Sequence, residues 1–270
     1  MIMNEANNNS SKPVLDAYSP RRIARLVDEI GVTKANQPII KTFVLGILAG
    51  VFIAFGAMLY TLVITDSQLG FGLTKLIGGV SFSLGLILVV VAGAELFTGN
   101  NLIVMAWANK EVSNKNILLN WTIVYVANFI GAIMAVIAML GTGLLDNNGG
   151  LVQTVALEIA YSKVNTDIYE LFMRGVLCNA LVCLAVWMCV AAHDVASKVM
   201  AIIFPISAFV ALGFEHSIAN MYFIPLGMFL SEGDISLYDL FYNLIPVTLG
   251  NIIGGSVCVA LVYWLVYIRE

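Results

Sequence analysis

Residues 93–100 read Gly-Ala-Glu-Leu-Phe-Thr-Gly-Asn and residues 213–220 read Gly-Phe-Glu-His-Ser-Ile-Ala-Asn, two copies of Gly-x-Glu-x-x-x-x-Asn set inside long apolar runs. Polar strings at membrane depth are tolerated only where protein buries the irregular backbone or water lines it. Each copy therefore predicts a broken helix beside a cavity. Further matches flank both copies in the same order. Asn128-Phe-Ile-Gly131 follows the first as Asn251-Ile-Ile-Gly254 follows the second, and Gly46 and Gly50 precede the first as Gly175 and Asn179 precede the second.

The apolar runs number six, at about 42–64, 75–107, 117–141, 171–192, 199–230 and 240–268. A run of roughly 20 apolar residues crosses a bilayer. The second and fifth runs exceed one straight span, as broken helices require. The chain thus divides into two units of three crossings. Because three is odd, the second unit enters the membrane from the opposite side, and inverted repeats with matched breaks put a substrate path at their interface.

Composition agrees. Hydrophobic residues make up 60% of the 270 and charged residues 11%, with mean hydropathy +0.92. Soluble domains carry about a quarter charged residues. The fold class is an all-α integral membrane protein, with membrane lipids around it and no basic patch for a nucleic-acid partner. Cys178, Cys183, Cys189 and Cys258 lie inside apolar runs without ligand spacing and read as small buried residues, so neither metal nor cofactor is expected.

Residues 1–40 read as a cytoplasmic tail and an amphipathic helix and residues 41–270 as a six-helix transmembrane domain, with repeat one at about 41–141 and repeat two at about 171–268. Residues 1–18 are polar and lack the apolar core of a cleavable signal peptide. Ser19 and Pro20 read as an N-cap and first helical residue. Ile23, Leu26, Val27 and Ile30 follow on one face, Arg22, Arg25 and Glu29 lie on another, and Gly31 fits the stop. Such a helix is an interfacial anchor or a mobile plug.

Ten Lys and Arg residues fall on the side of the N-terminus and three, Lys75, Lys163 and Arg174, on the other. That bias puts both termini in the cytoplasm, in a cell (inner) membrane, and places all four tryptophans near cytoplasmic helix ends.

Ionisable residues at membrane depth are costly and mark function. Glu95 and Glu215 would repel an anion, so they are expected to turn away, accept loop N–H groups and brace the breaks, with Asn100 and Asn220 satisfying freed backbone in the same way. Thr98 offers a hydroxyl to an anion, or caps the loop. His216 takes the position of Leu96 in the other copy; a neutral imidazole donates to an anion and a charged one transfers a proton. Lys163, read as part of a 142–170 loop, is either a solvated charge or a vestibule cation. Phe82, Leu86 and Phe209 are core packing or hydrophobic constrictions.

Two other classes are disfavoured. A water or glycerol pore of such architecture would carry paired Asn-Pro-Ala motifs, and the sequence has none. A membrane-embedded enzyme would need a nucleophile and base, and Ser217 beside His216 cannot face it on a helix.

The strings at 93–100, 213–220, 82–88 (Phe-Ser-Leu-Gly-Leu-Ile-Leu), 179–187 and 243–255 (Asn-Leu-Ile-Pro-Val-Thr-Leu-Gly-Asn-Ile-Ile-Gly-Gly) resemble the formate/nitrite transporter family, from about residue 18 onward. The resemblance implies an aquaporin-like fold and a homopentamer with one pore per protomer, passing small monovalent anions and protons. It implies that Thr98 and His216 face each other across the pore and that Glu215 and Asn179 support His216. It also implies hydrophobic slits formed by Phe82, Leu86, Val182 and Phe209, with Leu96 beside them, a vestibule lysine at Lys163, and an N-terminal helix that closes the cytoplasmic mouth at low pH. Formate is the expected substrate. Thr-Gly-Asn where the enterobacterial type has Thr-Ser, and a short 231–239 stretch, leave nitrite and hydrosulfide open. The leading mechanism has the anion protonated at or near His216 and crossing as the neutral acid; in the rival, His216 stays neutral.

Overall fold

The computed structural model describes residues 17–269, so most of the polar tail lies outside it. The described residues form helices and connecting turns. Helix α1 (Pro20–Ala35) precedes α2 (Ile39–Ile64) and α3 (Phe71–Ile87, continued by π-helical turns Leu88–Gly93). After the first break come a 3-10 stretch (Gly99–Ile103) and the short α4 (Val104–Ala108). Helices α5 (Asn114–Leu140), α6 (Leu151–Val164) and α7 (Ile168–Ala191) follow. Helices α8 (Val195–Ala211) and α9 (Ser217–Leu230) flank the second break, and α10 (Leu237–Ile252) passes through π-helical turns Ile253–Leu261 into α11 (Val262–Tyr267). Five helices are long and apolar enough to span a membrane. The halves α8 and α9, each too short alone, make the sixth crossing.

Both long runs are broken as expected, between Gly93 and Gly99 and between Ala211 and Ser217. The repeats also match in packing. Helix α2 lies against α5 so closely that a Cβ on Gly131 would sit 2.1 Å from the Ile47 carbonyl oxygen, and a Cβ on Gly254 would sit 2.1 Å from that of Val176 on α7. Without a hydrophobic force between helices in lipid, backbone approach at small residues supplies the packing.

Three expectations are corrected. Gly31 does not end α1, which runs to Ala35; it lets the helix approach the segment after the first break, where an added Cβ would lie 3.1 Å from the Ala106 Cβ. Ile23, Ala24 and Val27 pack in one cluster with Leu102, Ile103, Met105, Val259 and Ala260, so one face of α1 seats on protein. Residues 151–164 are a helix and not a loop; Val152, Ala156 and Ala160 form its buried stripe, and α6 packs on α9. Among the cysteines, Cys258 is exposed, on the π-helical turns Ile253–Leu261.

Candidate functional site

Each break opens on a glycine in the left-handed region, Gly93 at φ +86° and Gly213 at φ +72°, where a Cβ would be strained. The glutamate two residues later is tied to the neighbouring crossing. The Glu95 N–H donates to the Leu45 carbonyl at 3.2 Å and the Glu215 N–H to that of Arg174 at 3.3 Å.

Two buried asparagines close the remaining gaps. The Asn128 amide donates to the carbonyls of Gly46 at 2.7 Å and Glu95 at 2.9 Å and accepts the Phe97 N–H at 3.0 Å. Asn251 donates to those of Gly175 at 2.8 Å and Glu215 at 3.0 Å and accepts the Ser217 N–H at 2.9 Å. Unpaired backbone groups are expensive at this depth, and these two amides satisfy them.

Asn100 and Asn220 do different work. Each belongs to a four-residue polar cluster of the same composition, and the two clusters share one layout, except that Lys34 also reaches Asn100 Oδ1 whereas Asn220 Oδ1 has no partner. On one side, Lys34 Nζ donates to Glu95 Oε1 at 2.8 Å and to Asn100 Oδ1 at 3.1 Å, and Asn100 donates to Glu95 Oε2 at 2.7 Å and Asn120 Oδ1 at 3.0 Å. On the other, Lys163 Nζ donates to Glu215 Oε1 at 3.2 Å and Oε2 at 3.0 Å, and Asn220 donates to Glu215 Oε2 at 2.6 Å and Asn243 Oδ1 at 2.7 Å. Asn120 and Asn243 then return a bond to the carbonyls of Lys34 and Lys163, at 3.1 and 3.0 Å. The glutamates therefore find their partners in lysine and asparagine side chains and not in loop N–H groups. The physical reason is charge: a carboxylate lining an anion path is tolerated when a cation cancels it.

Each cluster borders a cavity. The Lys163 side holds one of about 480 Å³ that reaches Phe82, Phe209 and His216. The Lys34 side holds one of about 370 Å³ that reaches Leu86, Leu96 and Val186. Between them, Phe82, Leu86, Leu96, Val182 and Phe209 enclose, with Ile53, Ile206 and His216, a space of about 10 Å³. That is near the least volume that holds one water, so a hydrated ion does not fit. Phe82 meets Phe209 edge to face at 5.7 Å, and Phe209 stacks on His216 at 5.9 Å.

Thr98 and His216 meet at this neck, Thr98 Oγ1 lying 3.0 Å from His216 Nε2 with both residues buried. His216 is the N-cap of α9: its Nδ1 accepts the Ala219 N–H at 3.2 Å. An accepting Nδ1 carries no proton, so in the neutral ring Nε2 holds it and donates to Thr98. The Thr98 hydroxyl proton is then left for another acceptor. Asn179 donates to the Thr98 carbonyl at 3.3 Å, to Asn101 Oδ1 at 2.8 Å and to the Asn251 carbonyl at 2.6 Å, so it holds the Thr98 loop and makes no bond to His216.

Sequence reading gives no site role to Lys34, Asn120 or Asn243, and treats Asn128 and Asn251 only as repeat markers. The signal was present: Lys34 precedes Gly46 by twelve residues as Lys163 precedes Gly175, and Asn120 precedes Asn128 by eight as Asn243 precedes Asn251.

A family model described as formate/nitrite transporter matches residues 21–265. The chain is 39% identical to the formate channel FocA of Escherichia coli (strain K12), over 94% of this chain and 96% of that one. It superposes on a solved pentameric formate channel with formate bound at TM-score 0.80 and 41% identity, covering 86% of this chain and 98% of that one. It also superposes on an aquaglyceroporin from Plasmodium falciparum at TM-score 0.53 and 16% identity, covering 85% and 96%, a likeness of fold alone, which makes the architecture aquaporin-like. With its matched breaks, mirrored lysine–glutamate clusters and channel relatives, the chain belongs to the formate/nitrite transporter family.

Proposed function

We propose that the protein is a homopentameric formate channel of the inner membrane, both termini cytoplasmic, in which each protomer passes the anion together with a proton. The observation that carries this reading is the Thr98–His216 pair, 3.0 Å apart, at an apolar neck between two cavities each bordered by a lysine–glutamate cluster. The formate channels to which the chain is similar support the choice of anion and the pentamer. A bare anion in apolar surroundings is costly, whereas its neutral acid is not. The anion enters past Lys163, accepts the Thr98 hydroxyl and takes a proton beside His216 before crossing Phe82 and Leu86. The proton comes from hydronium in the vestibule, which leaves as water, since protonating His216 at Nδ1 would break its bond to Ala219.

The test is uptake into liposomes loaded with a pH-sensitive dye, with formate, nitrite and hydrosulfide gradients applied in turn. Formate is expected to pass fastest with proton cotransport, and H216A to lose at least about tenfold, because removing one donor at a site of developing charge costs that much or more. H216N retains a donor and is expected to keep proton coupling; loss of coupling in H216N would assign the proton to the ring. Equal rates for all three anions would sink the substrate assignment.

We further propose that α1 closes its side of the pore in acid. Asp28 is buried on α1, with Oδ1 unpartnered and Oδ2 accepting the Asn109 amide at 3.1 Å. Burial, with Glu111 and then Glu29 nearby, pushes its carboxyl from 3.8 up to about 6. A raised acid pKa makes seating strongest below about 4 and weakens it as pH rises through about 6. Hydrogen exchange over residues 20–35 is expected to speed up between about pH 4 and about pH 6 in the wild type and to stay pH-independent, after correction for intrinsic rates, in D28N. An unchanged profile in D28N would exclude Asp28 as the sensor.

A further inference from the structure

The larger cavity is lined by three cations, Lys75, Lys163 and Arg174, and by two carboxylates, Glu158 and Glu215. Most of this charge is already spent. Lys163 is held by both oxygens of Glu215, at 3.2 and 3.0 Å, and Arg174 is held by Glu170 one turn earlier on α7 at 2.5 Å. Among the described residues, Lys75 on α3 and Glu158 on α6 are the lining charges left without an ion-pair partner. Lys75 is half-buried with its ammonium 5.9 Å from the Phe71 ring centroid, which restrains it at the mouth. Glu158 is exposed on α6.

A close ion pair acts at a distance as a weak dipole, so an anion approaching through water responds chiefly to the unpaired charges, and walls of low dielectric focus their field into the opening. We propose that this mouth is a two-charge filter in which Lys75 recruits anions and Glu158 opposes them, the balance setting the apparent affinity for substrate. Lys163 then acts at short range, on an anion already inside. The inference rests on the reading of the pore as an anion channel. It concerns how the anion arrives and leaves the chemistry at Thr98 and His216 untouched.

The experiment is initial formate uptake against concentration in liposomes that hold the protein in one orientation, with formate offered from the Lys163 side. At about 10 mM ionic strength the Debye length is roughly 30 Å, long enough for both charges to be felt. There K75Q is expected to raise KM about three- to tenfold at constant maximal rate, and E158Q to lower KM by a similar factor. K75R should retain the wild-type value and K75Q/E158Q should return toward it. At about 1 M of an impermeant salt, where the Debye length is roughly 3 Å, all five proteins should converge. Unchanged KM in both single variants at low salt, shifts of the same sign, or differences that survive high salt would each overturn the filter. A wild type that passes no anion at all would overturn the reading of the pore and this inference with it, whereas normal uptake with flat KM values overturns the inference alone.

Discussion

K163M is expected to lower the stability of the protein by about 3–5 kcal/mol, the cost of breaking a buried ion pair by removing one partner. The side chains of Lys163 and Glu215 are only 13% and 7% exposed. Without the ammonium, Glu215 keeps the Asn220 amide at 2.6 Å and loses the charge that compensates it. The double variant K163M/E215Q should recover most of the loss, because a glutamine still accepts from Asn220 and carries no charge to strand. The mirrored change, K34M, should cost less: the Lys34 side chain is 28% exposed, so water reaches Glu95 once the ammonium is gone. Thermal unfolding of the purified protein in detergent measures all three. Equal stability of K163M and K163M/E215Q would show that packing, and not the stranded charge, dominates.

N251L should be worse still. The Asn251 side chain is wholly buried and satisfies two carbonyls and one N–H across three elements. Leucine keeps the branched outline and leaves all three groups unpaired, at about 1–3 kcal/mol each, or about 3–9 kcal/mol in sum. That is comparable to the whole stability of many domains, so loss of folded protein is the expected result. N251D retains the acceptor for the Ser217 N–H and forfeits the donors, which places it between wild type and N251L. N128L should match N251L, since Asn128 makes the corresponding three bonds at 2.7, 2.9 and 3.0 Å. Size-exclusion profiles of fluorescently tagged protein distinguish these outcomes; a monodisperse N251L peak at wild-type yield would contradict the account of how the break is held.

The two asparagines mark how far the primary structure could be read. Their repeat positions were visible, because each sits in an Asn-x-x-Gly string at the same point of its unit, but their roles were not. An amide that bonds to Gly46, 82 residues earlier, is placed by the packing of α5 on α2 and leaves no local trace. Helix α6 was missed for a related reason. Its buried stripe consists of Val152, Ala156 and Ala160, too few and too small to stand out over 14 residues. It is held by contact with α9, where a Cβ on Gly227 would collide with the Ala160 Cβ. Read as a loop, residues 151–164 give Lys163 no helix on which to mirror Lys34, and the second cluster stays hidden.

What the sequence by itself determined was the class, the inverted repeat, the two breaks and Thr98 and His216 as separate candidates, their meeting across the pore being implied only by the family resemblance. Hydropathy and a repeated string are properties of adjacent residues, and a glycine forced into positive φ marks a break wherever it falls. What only the tertiary structure decided was the partners of charge and backbone. Lys34 meets Glu95 across 61 residues and Lys163 meets Glu215 across 52, in pairs brought together by helices that pack. In a medium without water to satisfy them, buried polar groups are assigned their partners by that packing and by nothing nearer along the chain.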